Sequence, residues 1–244
     1  MPFLTGSYWQ ASRSPRYSLL FALPLLVAYQ VLLVLAPGAG NGQTVRNGAD
    51  VMLQSVFIAL AGARGPLLFL LCLSGAGVWL VVRDLRVHPD LRKGVFGVMF
   101  SEATLYALCF GVVVGGLTTG LVHPRSLLLG PADAMPWSTR LMLSLGAGLY
   151  EELLFRVLLV GALAWAARRF LGWAARPAGV TAVVAGAAIF SLFHYIGPYG
   201  DRLELYSFVF RMLSGVFFSA LYLLRGFGLT AWTHALYDTF LLVL

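Results

Sequence analysis

The sequence predicts an all-α polytopic membrane protein with eight helical segments, about seven crossing the bilayer and one lying along its surface. Three observations carry that reading. Of 244 residues 59% are hydrophobic and only 11% charged, where a soluble domain carries roughly 25% charged residues. Apolar runs of about 18 or more residues with few charges are bilayer spans, and such runs tile nearly the whole chain. The basic residues fall in clusters that one topology places on a single face. Residues 1–244 therefore read as one integral membrane domain, and a water-soluble globule is excluded. The net charge of +7 reads as membrane orientation, with no nucleic acid partner.

The first segment, 18–36, follows Arg13 and Arg16 and precedes the small residues 37–40, a pattern that imitates a secretory signal. Signal cores run only about 7 to 15 residues, so a retained span is predicted. The second, 50–61, is too short to cross comfortably. Its apolar Leu53, Val56, Phe57 and Leu60 recur at i, i+3, i+4 and i+7, the pattern of a one-sided surface helix. Segments 66–82, 95–122, 138–168, 178–196, 205–224 and 227–244 follow, most joined by short Gly, Pro or Arg punctuation. With a cytoplasmic N-terminus, the clusters Arg13/Arg16, Arg83/Arg86/Arg92/Lys93, Arg168/Arg169/Arg176 and Arg225 all become cytoplasmic, as the positive-inside bias requires. The opposite loops, around Asp133 and around 201–204, are near neutral or acidic. In 95–122 the pairs Gly111/Gly115 and Gly116/Gly120 have the spacing that lets helix backbones approach in lipid. Cys72 and Cys109 lie inside apolar stretches, which supports neither a disulfide framework nor a cysteine metal site.

A charged side chain at the bilayer centre costs at least about 2.5 to 3.5 kcal/mol, so it faces the protein interior and marks a functional candidate. Such residues gather in three segments: Glu151, Glu152 and Arg156 in 138–168, His194 at the end of 178–196, and His234 with Asp238 in 227–244. Glu152 and Arg156 are i and i+4, the spacing of an intrahelical ion pair. Glu151 then points about 100° away, toward the other helices and with no local cation. His234 and Asp238 share a face by the same spacing. If these faces meet, two imidazoles and two carboxylates surround a space for water. Counted from the cytoplasmic helix ends, Glu151 and His194 lie roughly 25 Å up and His234 only about 12 Å, so convergence requires a last helix that starts deep or tilts. Plainer roles exist for each residue. An intramembrane His commonly links helices, Glu152 with Arg156 reads as structural, and Glu102 and Arg211 are each expected to pair with another charge. Arg211 has the alternative of receiving an acidic or C-terminal group of a substrate. His88 and His123 stand beside prolines in loops and read as solvated.

Glu-Glu-x-x-x-Arg, then Phe-x-x-x-His, then His-x-x-x-Asp, in that order on three apolar helices, resembles the CPBP family of CAAX prenyl endopeptidases and bacteriocin-processing proteins. The resemblance covers 141–244, the catalytic helices of that pattern. It implies a glutamate-dependent intramembrane endopeptidase in which Glu151 and His194 activate water, His234 and Asp238 stabilise the oxyanion, and Glu152 and Arg156 support them. Many family members carry Asn at the position of Asp238. An ionised Asp would repel an oxyanion, so Asp238 is protonated, orients His234, or binds a metal. Ser7-Tyr8-Trp9 and Ser14-Pro15-Arg16-Tyr17 look like the start of bacterial members, including a myxosortase-like branch thought to trim C-terminal sorting tails. The resemblance thus implies the bacterial cytoplasmic (inner) membrane and a membrane-anchored protein substrate. No cofactor is expected. A zinc or other divalent metal would use Glu151, His194, His234 and Asp238, although the His-Glu-x-x-His run is missing. The non-enzymatic alternatives are a membrane scaffold and a transporter, the latter without the duplicated half that many transporters show.

Overall fold

In lipid every backbone N–H and C=O must be paired within the protein, which leaves the helix as the natural element for apolar runs of this kind. The structure, a computed structural model, describes residues 6–35, 45–122, 135–197 and 200–243, and helix is the only regular element among them. His123, residues 37–40 and the loop around Asp133 lie outside the described residues. The elements are α1 (Gly6–Arg13), α2 (Pro15–Leu35), α3 (Gly48–Ala61), α4 (Gly65–Val87), α5 (Lys93–Leu121), α6 (Trp137–Gly146), a π-helix (Ala147–Val160), α7 (Gly161–Phe170), α8 (Ala175–Phe193), α9 (Leu205–Arg225) and α10 (Phe227–Leu242). The stretch from α6 to α7 runs without a break, so segment 138–168 is one rod whose middle is π-helical. Most π-helices are single-turn bulges, frequent at functional sites.

Among the described residues five stretches are long and apolar enough to cross a membrane: Pro15–Leu35, Gly48–Val87, Lys93–Leu121, Ala175–Phe193 and Leu205–Arg225. The expectation of about seven exceeds this by the two helices that carry most of the polar cluster. The α6–α7 rod is long but holds Glu151, Glu152 and Arg156, and α10 has 16 residues where a span needs about 20.

Segment 50–61 is one-sided, and the face it buries in the protein is the polar one. Asp50 and Gln54 are buried, whereas Val56 and Leu60 are 58% and 78% exposed. The polar face turns inward because partners wait there: Asp50 accepts from Tyr29 Oη at 2.8 Å, Arg46 Nε at 2.9 Å and Gln54 Nε2 at 2.6 Å. At its start Asn47 reaches Glu151, and ten residues on Phe57 packs on Phe69, which packs on Tyr150. The start of α3 thus meets Glu151 directly and its later turns reach Tyr150 through Phe69 of α4, the chain turning at Gly62. That glycine has φ +55°, a left-handed conformation that favours a residue without a Cβ.

Three of the predicted basic clusters meet at one end of the bundle. Arg13 donates to the Leu223 carbonyl at 3.0 Å, Arg16 pairs with Asp84 at 3.1 Å, and the Arg92 backbone N–H donates to Tyr17 Oη at 2.7 Å. Arg225, expected at the cytoplasmic face, is buried at this same end. Its Nε and Nη2 each lie 2.6 Å from Glu102, its guanidinium covers the Trp9 ring, and Tyr8 Oη donates to the same carboxylate at 2.5 Å. Burial and the Glu102 charge push the Tyr8 phenol above its ordinary range, so it remains a donor. His88 is exposed, as its loop position suggests. The free cysteines Cys72 and Cys109 are exposed.

Of the small-residue pairs in α5, only Gly111 seats a neighbour, the Tyr237 ring, and Gly115, Gly116 and Gly120 face open space. The close backbone approach occurs elsewhere. Gly148 of the π-helix lies so near the Ala231 carbonyl and Ala235 of α10 that no Cβ fits. Overpacking of this kind costs typically about 1 to 3 kcal/mol. Gly148→Ala is therefore expected to lower the thermal midpoint in detergent, while Gly161→Ala, on the same rod with nothing nearby, leaves it unchanged. Equal midpoints for the two variants would contradict this packing.

Candidate active site

Three rods bring their polar residues together, and the contact between the π-helix and α10 is the most direct. Glu152, with no solvent exposure, places Oε1 2.7 Å from His234 Nδ1 and Oε2 3.1 Å from Arg156 Nε. The i, i+4 pair of Glu152 and Arg156 is thus formed, and Glu152 also bridges to the next helix, a role its spacing alone did not suggest. The Arg156 guanidinium lies 4.3 Å over the Phe190 ring and 5.5 Å from the Phe218 ring, with no hydrogen-bond acceptor on its nitrogens among the described residues. Phe218 stacks on His234 at 4.4 Å. A cation–π contact out of water is worth about 2 kcal/mol, so two aromatic faces and one carboxylate hold this buried cation.

His234 comes level with Glu152 although α10 starts beside the first turn of α2, at the end where Arg13, Arg16 and Arg225 gather. The Gly228 N–H donates to Ser18 Oγ at 2.7 Å, and Leu229, Thr230 and Ala231 are fully buried. The start of α10 is covered on its sides but lies beside the first turn of α2, so a deep start is not what reconciles the unequal depths counted along the chain. One turn further, Asp238 Oδ2 lies 3.5 Å from His234 Nε2. Asp238 therefore faces the imidazole, the placement needed to orient it.

His194 follows the last residue of α8. Its Nδ1 is 2.9 Å from the Phe190 carbonyl oxygen. A carbonyl only accepts, so Nδ1 carries the hydrogen and the neutral ring presents Nε2 as a free acceptor. Phe155 of the π-helix packs edge-on against Phe190 and Phe193, which fixes α8 against the Glu151 level. Glu151 is buried and accepts from Asn47 Nδ2 at 3.0 Å. Its electrostatic neighbours across the site are His194, His234 and Arg156.

Arg211 and Glu102 are both paired, Arg211 with Asp201 and Glu102 with Arg225. Arg211 also lies 5.2 Å over the Tyr195 ring. Among the described residues no three His, Cys, Asp or Glu side chains are arranged to hold a metal ion. The residues that sequence reasoning missed are Asn47, Asp50 and Tyr29. A signal existed: Arg46-Asn47-Gly48-Ala49-Asp50 opens an apolar segment with an Asn at the cap position and an Asp in the first turn, the pattern of a helix start.

No curated protein and no solved structure matches the chain significantly. Residues 133–240 match the model of the family described as Rce1-like, Type II CAAX prenyl endopeptidase Rce1-like. That stretch contains Glu151, Glu152, Arg156, His194, His234 and Asp238, and it begins a few residues before the 141–244 expected from the motifs. Asn47 and Asp50 lie outside it. Residues 133–240 of this polytopic membrane chain are thus similar to the Rce1-like, CAAX-type intramembrane proteases, a match that supports membership of the CPBP family.

Proposed function

We propose that the chain is an intramembrane endopeptidase in which Glu151 and His194 hold one water between them. The observation that carries the reading is complementary occupancy. Glu151 has one oxygen engaged by Asn47, and His194 has Nδ1 engaged by the Phe190 carbonyl, so one carboxylate oxygen and one imidazole Nε2 remain to accept the two hydrogens of a water. The water oxygen attacks the scissile carbonyl carbon as its proton passes to Glu151. The C–N bond then breaks, and Glu151 returns the proton to the leaving amine nitrogen. His234, with Nδ1 held by Glu152 at 2.7 Å and Nε2 no closer than 3.5 Å to Asp238, can carry both protons and turn Nε2–H to the oxyanion, a contact worth about 2.7 to 4 kcal/mol in comparable sites. Asp238 orients that imidazole, and Glu152 with Arg156 fixes it from the other side.

The substrate of this reading is a membrane-anchored protein cut near its C-terminus, as in the trimming of a sorting tail. The chain sits in a bacterial cytoplasmic membrane with its N-terminus and basic end cytoplasmic, and no metal takes part. Burial of the cluster among helices supports access from the bilayer. Mass-spectrometric comparison of membrane-protein termini, with and without the active chain, tests the substrate. A set of proteins retaining longer C-termini in its absence is expected, and unchanged termini would refute the assignment. Cleavage of such a substrate in proteoliposomes is expected to withstand chelators. Loss on chelation with recovery on added zinc would replace the water-only mechanism by a metallopeptidase built on the same side chains.

A further inference from the structure

The π-helix, α8 and α10 supply three sides of the site. The fourth comes from the start of α3, outside the stretch that matches the family. Asn47 cannot turn its amide around. Its Oδ1 accepts from the backbone N–H of Ala49 at 2.9 Å and of Asp50 at 3.4 Å, the bonds that cap α3, so its NH₂ must be the group facing Glu151 Oε1 at 3.0 Å. An amide nitrogen only donates. The Glu151 oxygen in contact with it is therefore an acceptor, and the water-binding edge of the carboxylate is the opposite one.

The cap is itself held from three sides. The Asn47 backbone N–H donates to Tyr29 Oη at 3.4 Å, Tyr29 Oη donates to the fully buried Asp50, and Arg46 and Gln54 complete the Asp50 shell. Gly146 makes room, since a Cβ there would stand 2.5 Å from the Tyr29 ring and 2.9 Å from Asn47 Cβ. The positive end of the α3 dipole adds attraction for the Glu151 carboxylate. We propose that Asn47, clamped by the Tyr29–Asp50 network, is a positioning residue that fixes the Glu151 carboxylate as an acceptor and aims its free oxygen at the catalytic water. This rests on the endopeptidase reading, with Glu151 as the base.

The test is steady-state kinetics and the pH–rate profile of purified full-length protein in proteoliposomes, with a peptide substrate taken from the terminal comparison. Asn47→Asp keeps an N-cap acceptor of equal rank but sets a carboxylate against Glu151. Asn47→Ser keeps the cap and is too short to reach Glu151. Misaiming a catalytic group by about 1 Å costs about 10²-fold. Both variants are expected to lose about that factor in kcat with KM little changed, and Asn47→Asp to displace the acidic limb of the profile to higher pH. Should Asn47→Asp fail to fold, a folded Asn47→Ser with the same kcat loss carries the proposal. Folded variants with wild-type kcat and pH profile would overturn it. Failure of the underlying reading looks different: Glu151→Gln would then retain activity, whereas failure of this proposal alone leaves Glu151→Gln inactive beside an active Asn47→Asp.

Discussion

Glu151→Gln is expected to reduce peptide-bond cleavage about 10²- to 10⁴-fold in kcat, the range supplied by a positioned general base, without loss of the fold. The substitution is nearly isosteric, and the Gln carbonyl can still accept from Asn47 Nδ2, which lies 3.0 Å from the native carboxylate oxygen. The lost capacity is proton acceptance at the other oxygen, because an amide nitrogen there would donate toward the water. Parallel measurement of the thermal midpoint separates the two effects: an inactive protein of unchanged midpoint is the expected pair of results, and retained cleavage removes Glu151 from the mechanism.

The second large effect is on stability. Arg156→Leu leaves Glu152, at 0% exposure, with His234 as its remaining partner, and breaking a buried ion pair from one side costs about 3 to 5 kcal/mol. The variant also loses the ring contacts at 4.3 Å and 5.5 Å. Arg156→Lys is expected to recover only part of the loss, since an ammonium cannot lie flat between Phe190 and Phe218 while pairing with Glu152. Thermal unfolding in detergent ranks the proteins wild type, Arg156→Lys, Arg156→Leu. The double variant Glu152→Leu/Arg156→Leu removes both charges and is expected to be more stable than Arg156→Leu alone, yet inactive, because His234 Nδ1 then has no carboxylate at 2.7 Å. An active double variant would show that Glu152 has no part in orienting His234.

Legibility in the sequence tracked whether a feature depends on local spacing or on contacts made across the fold. Hydropathy located the rods because backbone pairing in lipid leaves little choice, and i, i+4 spacing found both Glu152–Arg156 and His234–Asp238. Depth along the chain was misleading for His234: α10 begins against Ser18, in the first turn of α2, and still brings His234 to Glu152. Apolar periodicity found the one-sidedness of α3 but not its polar partners: Asp50 with Gln54 turns inward to groups on α2 and beside its own first turn. Arg225 looked like an orientation signal and is an ion-pair partner of Glu102, which only tertiary contact reveals. The π-helical turn at Ala147–Val160 carries no periodic signature distinct from an α-helix, so its presence at the Glu151 level could not be read in advance.

The central claim is that Glu151 of the π-helix and His194 after α8 act on one and the same water. Groups that work as a unit are strongly non-additive in their kinetic effects, which makes a double-mutant cycle the most direct test. With cleavage rates measured for wild type, Glu151→Gln, His194→Ala and the double variant, all folded, the claim predicts that the double variant is no slower than the slower single one. Rates that fall by the product of the two single losses would mean independent contributions, and the shared-water account would be contradicted.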